Sequence, residues 1–585
     1  MNDAPPRRPD TVRTSPLTPF KYRIFLALWL ASLCSNFGGL IQSVGASWLM
    51  TSLSPSADIV ALVQASTVLP YMLFCLAAGA ASDVLDRRAL MLSAQIVALV
   101  VSVLLTVFTY SGVMTPWLLL SFTFLVGCGN AIYGPAWQSS VGEVVPRAEL
   151  PSAVALNSLG FNIARTVGPA IGGLIVAAFG SQAAFLVNSV SYVGLLIVLF
   201  SWKRPAEQRP FPPESIPSAM MAGLRYVALS PSIQSVLIRA VVFGMAASSI
   251  WALMPLVARD LIQGGPSIYG LLLGAFGVGA VLSALSSTRL RTAFTTGQIV
   301  TIATLVFATG TVIAAFSTRL PISMIGMVMC GGGWVLALST FNISVQLSVP
   351  RWVVGRSVAI YQMMTFGGMA LGSWLWGLVA HHFGLVFSLA LAGGVLAAST
   401  LLARIWPMPS IAGENLDPRL PDSAQPTLDE AIPYREGHVV LTIEYRVAKE
   451  DGPQFAAAMR KLAQVRQRNG ARRWSLMVDV TNPELWIERF QYPTWTEYLR
   501  QRHRGTVSDR AVWDYARTFH RGEERPKVRR LIAQSVEDIA AAPSARPERT
   551  PTVAITDPAL PPDPSPATGS STSGSPTGTP SGRTQ

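Results

Sequence analysis

Charge is scarce in this chain. Only 13% of its 585 residues are Asp, Glu, Lys or Arg, against about 25% in a soluble globular protein. Cysteine is scarcer still. Cys34, Cys75, Cys128 and Cys330 are the whole set; each falls inside an apolar run and none has metal-ligand spacing. Neither a disulfide framework nor a metal site is therefore expected. No Walker sequence occurs, so ATP at a P-loop is not expected as the direct drive, and no cofactor is expected either. Gly274-Ala-Phe-Gly277-Val-Gly279 is glycine-rich but lies inside an apolar run, which makes it a helix-packing face. Residues 1–19 are polar and proline-rich, without the apolar core of a cleaved signal. Acids are missing from the apolar runs: Asp58, Glu143 and Asp260 stand only at their ends.

The charges that exist are segregated. Residues 22–406 are mostly apolar runs and residues 414–540 are charge-rich, the pattern of a polytopic membrane domain followed by a soluble one. Twelve runs are predicted to span, at 22–50, 59–81, 89–110, 116–137, 154–178, 182–202, 233–257, 267–287, 297–316, 321–342, 358–380 and 385–405. Each is about 20 residues long, enough to cross roughly 30 Å of hydrocarbon as a helix. Arg87, Arg88, Lys203, Arg204, Arg209, Arg225, Arg289, Arg291, Arg351 and Arg356 fall on the side shared with the N-terminus, and only Arg259 and Arg319 on the other. The basic side is expected in the cytoplasm, with both termini. The net charge of +13 is then topology plus a basic domain near anionic lipid, with the bilayer and not nucleic acid as partner.

A repeat divides the runs. Val145-Pro146-Arg147 recurs as Val349-Pro350-Arg351, an offset of 204 that also relates Val154-Ala155 to Val358-Ala359, Gly168 to Gly372 and Gly173 to Gly377. Two parallel six-helix halves are predicted. The division is an N-terminal segment 1–21, halves at 22–202 and 233–406, a central loop 203–232, a linker 407–437, a soluble domain 438–535 and a disordered stretch 541–585 rich in Pro, Ser, Thr and Gly. In the soluble domain Val439, Leu441, Ile443, Tyr445 and Val447 alternate as a strand. Phe455, Met459, Leu462 and Val465 follow at helical spacing, and Trp474, Leu476, Val478 and Val480 alternate again. A strand over Leu485–Tyr492, helices near Thr494–Arg504 and Ser508–Phe519 and a strand near Val528–Ile532 give the order βαββααβ. That order suits an α+β ferredoxin-like domain. His503, Trp474, Trp495 and Trp513 read as ordinary surface and core residues.

Two stretches invite a functional reading. Gly79-Ala-Ala-Ser-Asp83-Val-Leu-Asp86-Arg87-Arg88 is read as a short loop between the second and third spans, and it orders an acid before a basic pair. In the fifth span, Asn162-x-x-Arg165-x-x-Gly168-Pro169-Ala170-Ile171-Gly172-Gly173 combines a proline, which removes a backbone hydrogen bond, with glycines that let a neighbour approach. Plain small-residue packing explains the glycines equally well. Arg165 is sharper. It lies roughly 18 Å into its span at 1.5 Å per residue, where an arginine costs about 2.5–3.5 kcal/mol to insert, so it is expected to face a cavity and pair with substrate or a polar group. Arg239, about six residues into the seventh span, is expected to snorkel. Asn36, Gln42, Gln64, Asn130 and Asn342 are further candidates for a substrate path, among polar residues that otherwise bridge helices; Gln95, Asn188, Gln346 and Gln362 belong to the same set.

The Gly79–Arg88 stretch resembles the signature loop of the major facilitator superfamily, and the glycine–proline run resembles the helix 5 motif of its drug and siderophore exporters. Together with Val145-Pro146-Arg147-Ala148-Glu149-Leu150, and with His503-Arg504-x-Thr506-Val507-x-Asp509-Arg510 in the tail, these residues resemble the transmembrane secretion effector family. The resemblance implies an all-α major facilitator fold of twelve helices, gated at Gly79, Asp83, Arg87 and Arg88. It implies a non-enzymatic exporter of a siderophore or drug-like small molecule, working by alternating access with protons as the expected coupling ion and Asp58 and Glu143 as candidate titrating groups. It also implies a tail like the cofactor-free antibiotic-biosynthesis monooxygenases, which self-associate through their sheets. The alternative is a membrane-tethered enzyme or ligand sensor acting through that tail.

Overall fold

The computed structural model describes residues 17–146, 149–202, 216–409, 416–417, 438–502 and 504–533. The stretches 1–16, 203–215, 418–437 and 541–585, and His503, lie outside the described residues. Among those described, twelve helices are long and apolar enough to cross a membrane. The first six are α1 (Arg23–Leu53), α2 (Ala57–Val84), α3 (Arg87–Tyr110), α4 (Pro116–Val144), α5 (Leu150–Phe179) and α6 (Ser181–Ser201). A shorter helix, α7 (Ile216–Ala228), leads to the second six: α8 (Pro231–Leu256), α9 (Pro266–Ala293), α10 (Thr296–Phe316), α11 (Leu320–Leu347), α12 (Val354–Phe383) and α13 (Leu385–Ser399), which runs on into a last turn, α14 (Leu402–Ile405). Large apolar side chains such as Leu285 (76% exposed) and Phe316 (68% exposed) point outward, as lipid-facing residues do and water-facing ones rarely do. The chain is a multi-pass membrane protein.

Local chemistry sets the helix limits. Pro116, Pro231 and Pro266 open α4, α8 and α9 at positions where no N–H is needed. Thr295 and Gln298 form a reciprocal cap on α10. Gly180 (φ 79°) turns α5 into α6 and Gly384 (φ 88°) turns α12 into α13; both conformations are open to glycine at little cost, and the two lie 204 residues apart, on the sequence repeat.

Three expectations need correction. The stretch Gly79–Arg88 is not a loop of ten residues: α2 runs on to Val84 and only Leu85 and Asp86 link it to α3. Nothing in Ala80–Val84 breaks a helix, and Asp86 makes the turn by capping α3, its Oδ1 accepting from the Ala89 N–H at 3.0 Å. The central connection 203–232 contains α7, whose apolar face, Ala219, Ala222, Gly223, Tyr226 and Val227, is buried. Arg239 does not snorkel: it is only 5% exposed, and its Nη1 has no hydrogen-bond partner among the described residues.

Two antiparallel seams join the first six spans to the second. Along α2 and α12, Gly79 faces Ala359, the Cys75 thiol donates to Gln362 Oε1, Met72 lies on Gly367 and Ala61 on Gly377. Along α5 and α9, Thr166 meets Gly277, Ala170 meets Gly274 and Gly173 meets Gly270. Repeat-related glycines serve matching contacts, Gly168 against Leu40 of α1 and Gly372 against Met245 of α8.

The tail is a four-stranded antiparallel sheet in the order β2-β3-β1-β4, with β1 (His438–Arg446), β2 (Arg472–Val478), β3 (Leu485–Tyr492) and β4 (Lys527–Ala533). Helices α15 (Gly452–Arg468), α16 (Trp495–Arg502) and α17 (Val507–Arg517) complete it. Leu441 pairs with Phe490, Ile443 with Glu488 and Tyr445 with Trp486, and this face is covered by Phe455, Met459 and Leu462 of α15. Val480, expected to continue the alternation of Trp474, Leu476 and Val478, lies beyond the end of β2 and is exposed.

Candidate functional site

Arg165 is the sixteenth of the thirty residues of α5, so it sits midway along its span. Its side chain crosses the boundary between the two groups of six. The guanidinium carbon is 5.5 Å from the ring centre of Trp251 in α8, 5.5 Å from Phe276 in α9 and 5.9 Å from Trp334 in α11. Trp251 meets Phe276 edge-on at 4.7 Å and Trp334 at 5.9 Å. Among the described residues Arg165 has neither an ion pair nor a hydrogen bond, and Trp251 Nε1 is buried without an acceptor. Each ring contact is worth about 0.5–2 kcal/mol when desolvated, so the three rings together offset much of the cost of the cation at this depth. Arginine supports this arrangement better than lysine because its planar cation stacks on rings.

The glycine–proline run positions Arg165. Pro169 has no N–H to give the Arg165 carbonyl, and that carbonyl lies against Gly277 of α9, where a Cβ would come within 3.1 Å. Thr166 Oγ1 donates both to Asn162 O at 2.9 Å and across to Gly277 O at 3.2 Å. Gly168 and Gly172 lie against Leu40, Ile41 and Val44 of α1, and Gly173 against Pro266 and Gly270 of α9. The run therefore packs α5 on two helices at once. Asn162 is partly buried one turn before Arg165.

The other polar candidates separate. Gln42 does not face the boundary: its Oε1 accepts from Ser102 Oγ at 3.0 Å and Asn188 Nδ2 at 2.5 Å, in a buried network with Ser189 that joins α1, α3 and α6. Paired amides and hydroxyls of this kind satisfy each other inside a bundle. Asn130 joins Asn188 at the Tyr192 hydroxyl. Asn342 accepts from Gln346 one turn on in α11. Asn36 and Gln64 are partly buried on α1 and α2.

At the end of the bundle that carries α7, Arg87 Nε donates to Ser82 O at 3.0 Å and its Nη1 reaches Glu143 Oε1 at 2.5 Å, tying α2, α3 and α4 together. Arg88 caps α6 through the carbonyls of Leu199 and Phe200. The Asp83 side chain lies outside the described residues. Its backbone is one turn beyond Gly79, which faces Ala359 in the first turns of α12. At the opposite end Asp58, beside Ser56 and 3.9 Å from His381 Nδ1, closes the same seam.

Sequence reading missed Trp251, Phe276 and Trp334. For Trp334 a signal was present, a tryptophan in the middle of its span, away from the interfacial belts where the residue usually collects.

Comparison with known proteins supports a transport architecture. The chain is 23% identical over 362 residues to the staphyloferrin A transporter of Staphylococcus aureus, covering 61% of this chain and 89% of that protein. It is 25% identical over 384 residues to the multidrug efflux pump Tap of Mycolicibacterium fortuitum, covering 63% and 92%. Among solved structures, the D-xylose-proton symporter superposes with a TM-score of 0.54 at 14% identity, over 68% of this chain and 99% of that one. A bacterial homologue of the lysosomal transporter Spinster gives 0.53 at 14%, over 66% and 95%; at such identities these two speak for the fold alone. The model of the transmembrane secretion effector family matches residues 14–537, and the chain belongs to that family of major facilitator transporters.

Proposed function

We propose that the protein is a secondary exporter that carries a siderophore or drug-like small molecule across the cytoplasmic membrane by alternating access, with protons as the coupling ion. The observation that carries this reading is Arg165: a cation at mid-depth, on the boundary that must open and close, surrounded by rings and unpaired with any described acid. Such a residue is costly unless function retains it. The names of the relatives, staphyloferrin A transport and multidrug efflux, point to the same substrate range. The positive-inside rule assigns the α7 end, with both termini, to the cytoplasm. Asp83, as a carboxylate one turn past the Gly79–Ala359 contact, is proposed to meet the positive N-terminus of α12. Asp58 is the proposed coupling carboxylate, at the end of the α2/α12 seam with His381 Nδ1 3.9 Å away.

The tail is read as a ferredoxin-like domain similar to the antibiotic-biosynthesis monooxygenases. Its outer sheet face, with Met477, Ile487 and Leu531, is the surface proposed for self-association. Its buried Glu488 takes hydrogen bonds from Tyr445, Arg466 and Trp474; a carboxylate engaged on this many sides reads as core, which favours a non-enzymatic tail. The test is accumulation in energised inside-out vesicles, whose lumen is the exporter's delivery side, of a panel of siderophores and lipophilic cations. Export of none of them, with a collapsed gradient making no difference, overturns the reading. Removal of residues 438–585 separates the alternative, because a tail enzyme or sensor loses its output while the exporter retains transport.

A further inference from the structure

Two arginines of the tail lie on two aromatic rings of the membrane part. Arg504 places its guanidinium carbon 4.3 Å from the ring centre of Trp352, and Arg468 lies 5.2 Å from that of Tyr226. The two rings meet at 90° with their centres 5.6 Å apart, so the four side chains form one cluster. Each arginine is held from behind by a tail carboxylate, Arg504 by Glu497 at 2.5 Å and Arg468 by Asp509 at 2.7 Å. Asp509 is itself fixed by Asn469 and by the Thr506 N–H. The cations are thus aimed by the tail's own fold, and little side-chain freedom is lost when they meet the rings. Arg225 of α7 adds to the contact: its Nη2 lies beside Gly470, where a Cβ would be 3.5 Å away. Burial lowers its pKa, and the tail groups Arg472, Glu497 and Arg504 all act on its charge.

What the tail holds gives this contact its meaning. Tyr226 belongs to α7, which packs on both α2 and α12. Gly223 of the same helix lies against the Arg356 side chain of α12. Trp352 sits in the turn Arg351–Val353 that leads into α12. Both rings therefore border the α7 end of the α2/α12 seam, where the first six spans meet the second. Separating the two groups at this end displaces α7, Trp352 or both, and Arg468 and Arg504 tie them to one folded domain.

We infer that the tail is a clamp: its Arg468–Arg504 edge recognises the Tyr226–Trp352 pair and holds this end of the seam closed, so that undocking of the tail is the condition for that end to open. The inference goes beyond the export reading and does not depend on what is carried.

Spin-label distances in the full-length protein test it without any substrate. In a background with Cys34, Cys75, Cys128 and Cys330 replaced by Ala, labels at Lys461→Cys and Leu347→Cys report docking, and labels at Leu85→Cys and Leu347→Cys report the seam end. All three positions are exposed. The Tyr226→Leu/Trp352→Leu pair is expected to broaden the docking distance, raising the undocked population about tenfold, and to lengthen the seam distance with it. Tyr226→Phe/Trp352→Phe, which keeps both rings, is expected to leave both distances as they are. Should the ringless protein not fold, Arg468→Gln/Arg504→Gln makes the same test from the tail side. A narrow docking distance without the rings or arginines overturns the clamp, as does a freed tail with an unchanged seam distance.

Discussion

The backbones of Gly173 and Gly270 touch. A Cβ built on Gly270 would lie 2.7 Å from Pro169 O and 2.9 Å from Gly173 Cα, and one on Gly173 would lie 2.8 Å from Gly270 Cα. Neither helix has room for a side chain here, so Gly173→Leu or Gly270→Leu forces α5 and α9 apart. Overpacking of this kind costs about 1–3 kcal/mol, seen as a lower melting temperature in detergent. Gly194→Ala is the control, because nothing among the described residues lies within 4 Å of its Cβ position, and its melting temperature should not fall.

The reasons for that contact were partly legible beforehand. The glycine–proline run marked a place where helices come close, and the 204-residue offset marked its counterpart at Gly372 and Gly377. Which helices would meet was not legible, because spacing within one helix does not name its partner. Gln42 illustrates the difficulty: an amide inside a span reads the same whether it faces α9 or, as it does, Ser102 and Asn188. Arg165 was legible as a buried cation but its surroundings were not. Rings at Trp251, Phe276 and Trp334, far apart in sequence, carry no local pattern linking them to α5. Helix α7 was hidden by its shortness, since an amphipathic helix of 13 residues beside a charged loop offers no span-length apolar run.

Asp83 offers a second prediction. Asp83→Asn removes the charge that is proposed to face the first turn of α12, an interaction worth about 0.3–1 kcal/mol. The closed-to-open ratio at the α7 end should fall about two- to fivefold and export should slow. The spin-label distance between Leu85→Cys and Leu347→Cys checks this; the same distance distribution with and without the Asp83→Asn substitution counts against it.

The tail makes a third prediction through Tyr445. Burial first, and then the Glu488 carboxylate, push its pKa well above 10.0. Burial does the same to Tyr492. A phenol with a raised folded value is neutral in the fold while the unfolded chain ionises from about pH 10 upward, so its contribution to stability is complete below that pH and is lost as pH climbs beyond it. Unfolding of the tail in alkali, followed by tryptophan fluorescence, should set in from about pH 10. Tyr445→Phe removes one ionising group, so the onset should become shallower even though the hydrogen bond to Glu488 is gone and stability at pH 7 is lower by about 1 kcal/mol. An identical alkaline profile in both proteins refutes the linkage.

Arg165 carries the last prediction. Its charge meets three rings and no hydrogen-bond acceptor among the described residues, so a charge-assisted hydrogen bond from an anion would add about 1.5–3 kcal/mol. An anionic substrate is therefore favoured at this position and a lipophilic cation repelled. Arg165→Gln keeps a polar side chain and removes the charge, so transport of an anion such as a carboxylate or catecholate siderophore should fall tenfold or more while a cationic dye is spared. Arg165→Lys should recover only part, because the planar face that stacks on Trp251 and Phe276 is lost. Trp251→Phe keeps a ring and removes the unpaired Nε1–H; it should leave the charge preference intact. If Arg165 serves only to hold α5 against α8, α9 and α11, the substitution acts on the fold instead: folded yield drops and every substrate suffers alike. Efflux of one anion and one cation, measured beside expression and melting temperature, separates these cases, and an unchanged anion-to-cation ratio in well-folded Arg165→Gln protein removes Arg165 from substrate selection.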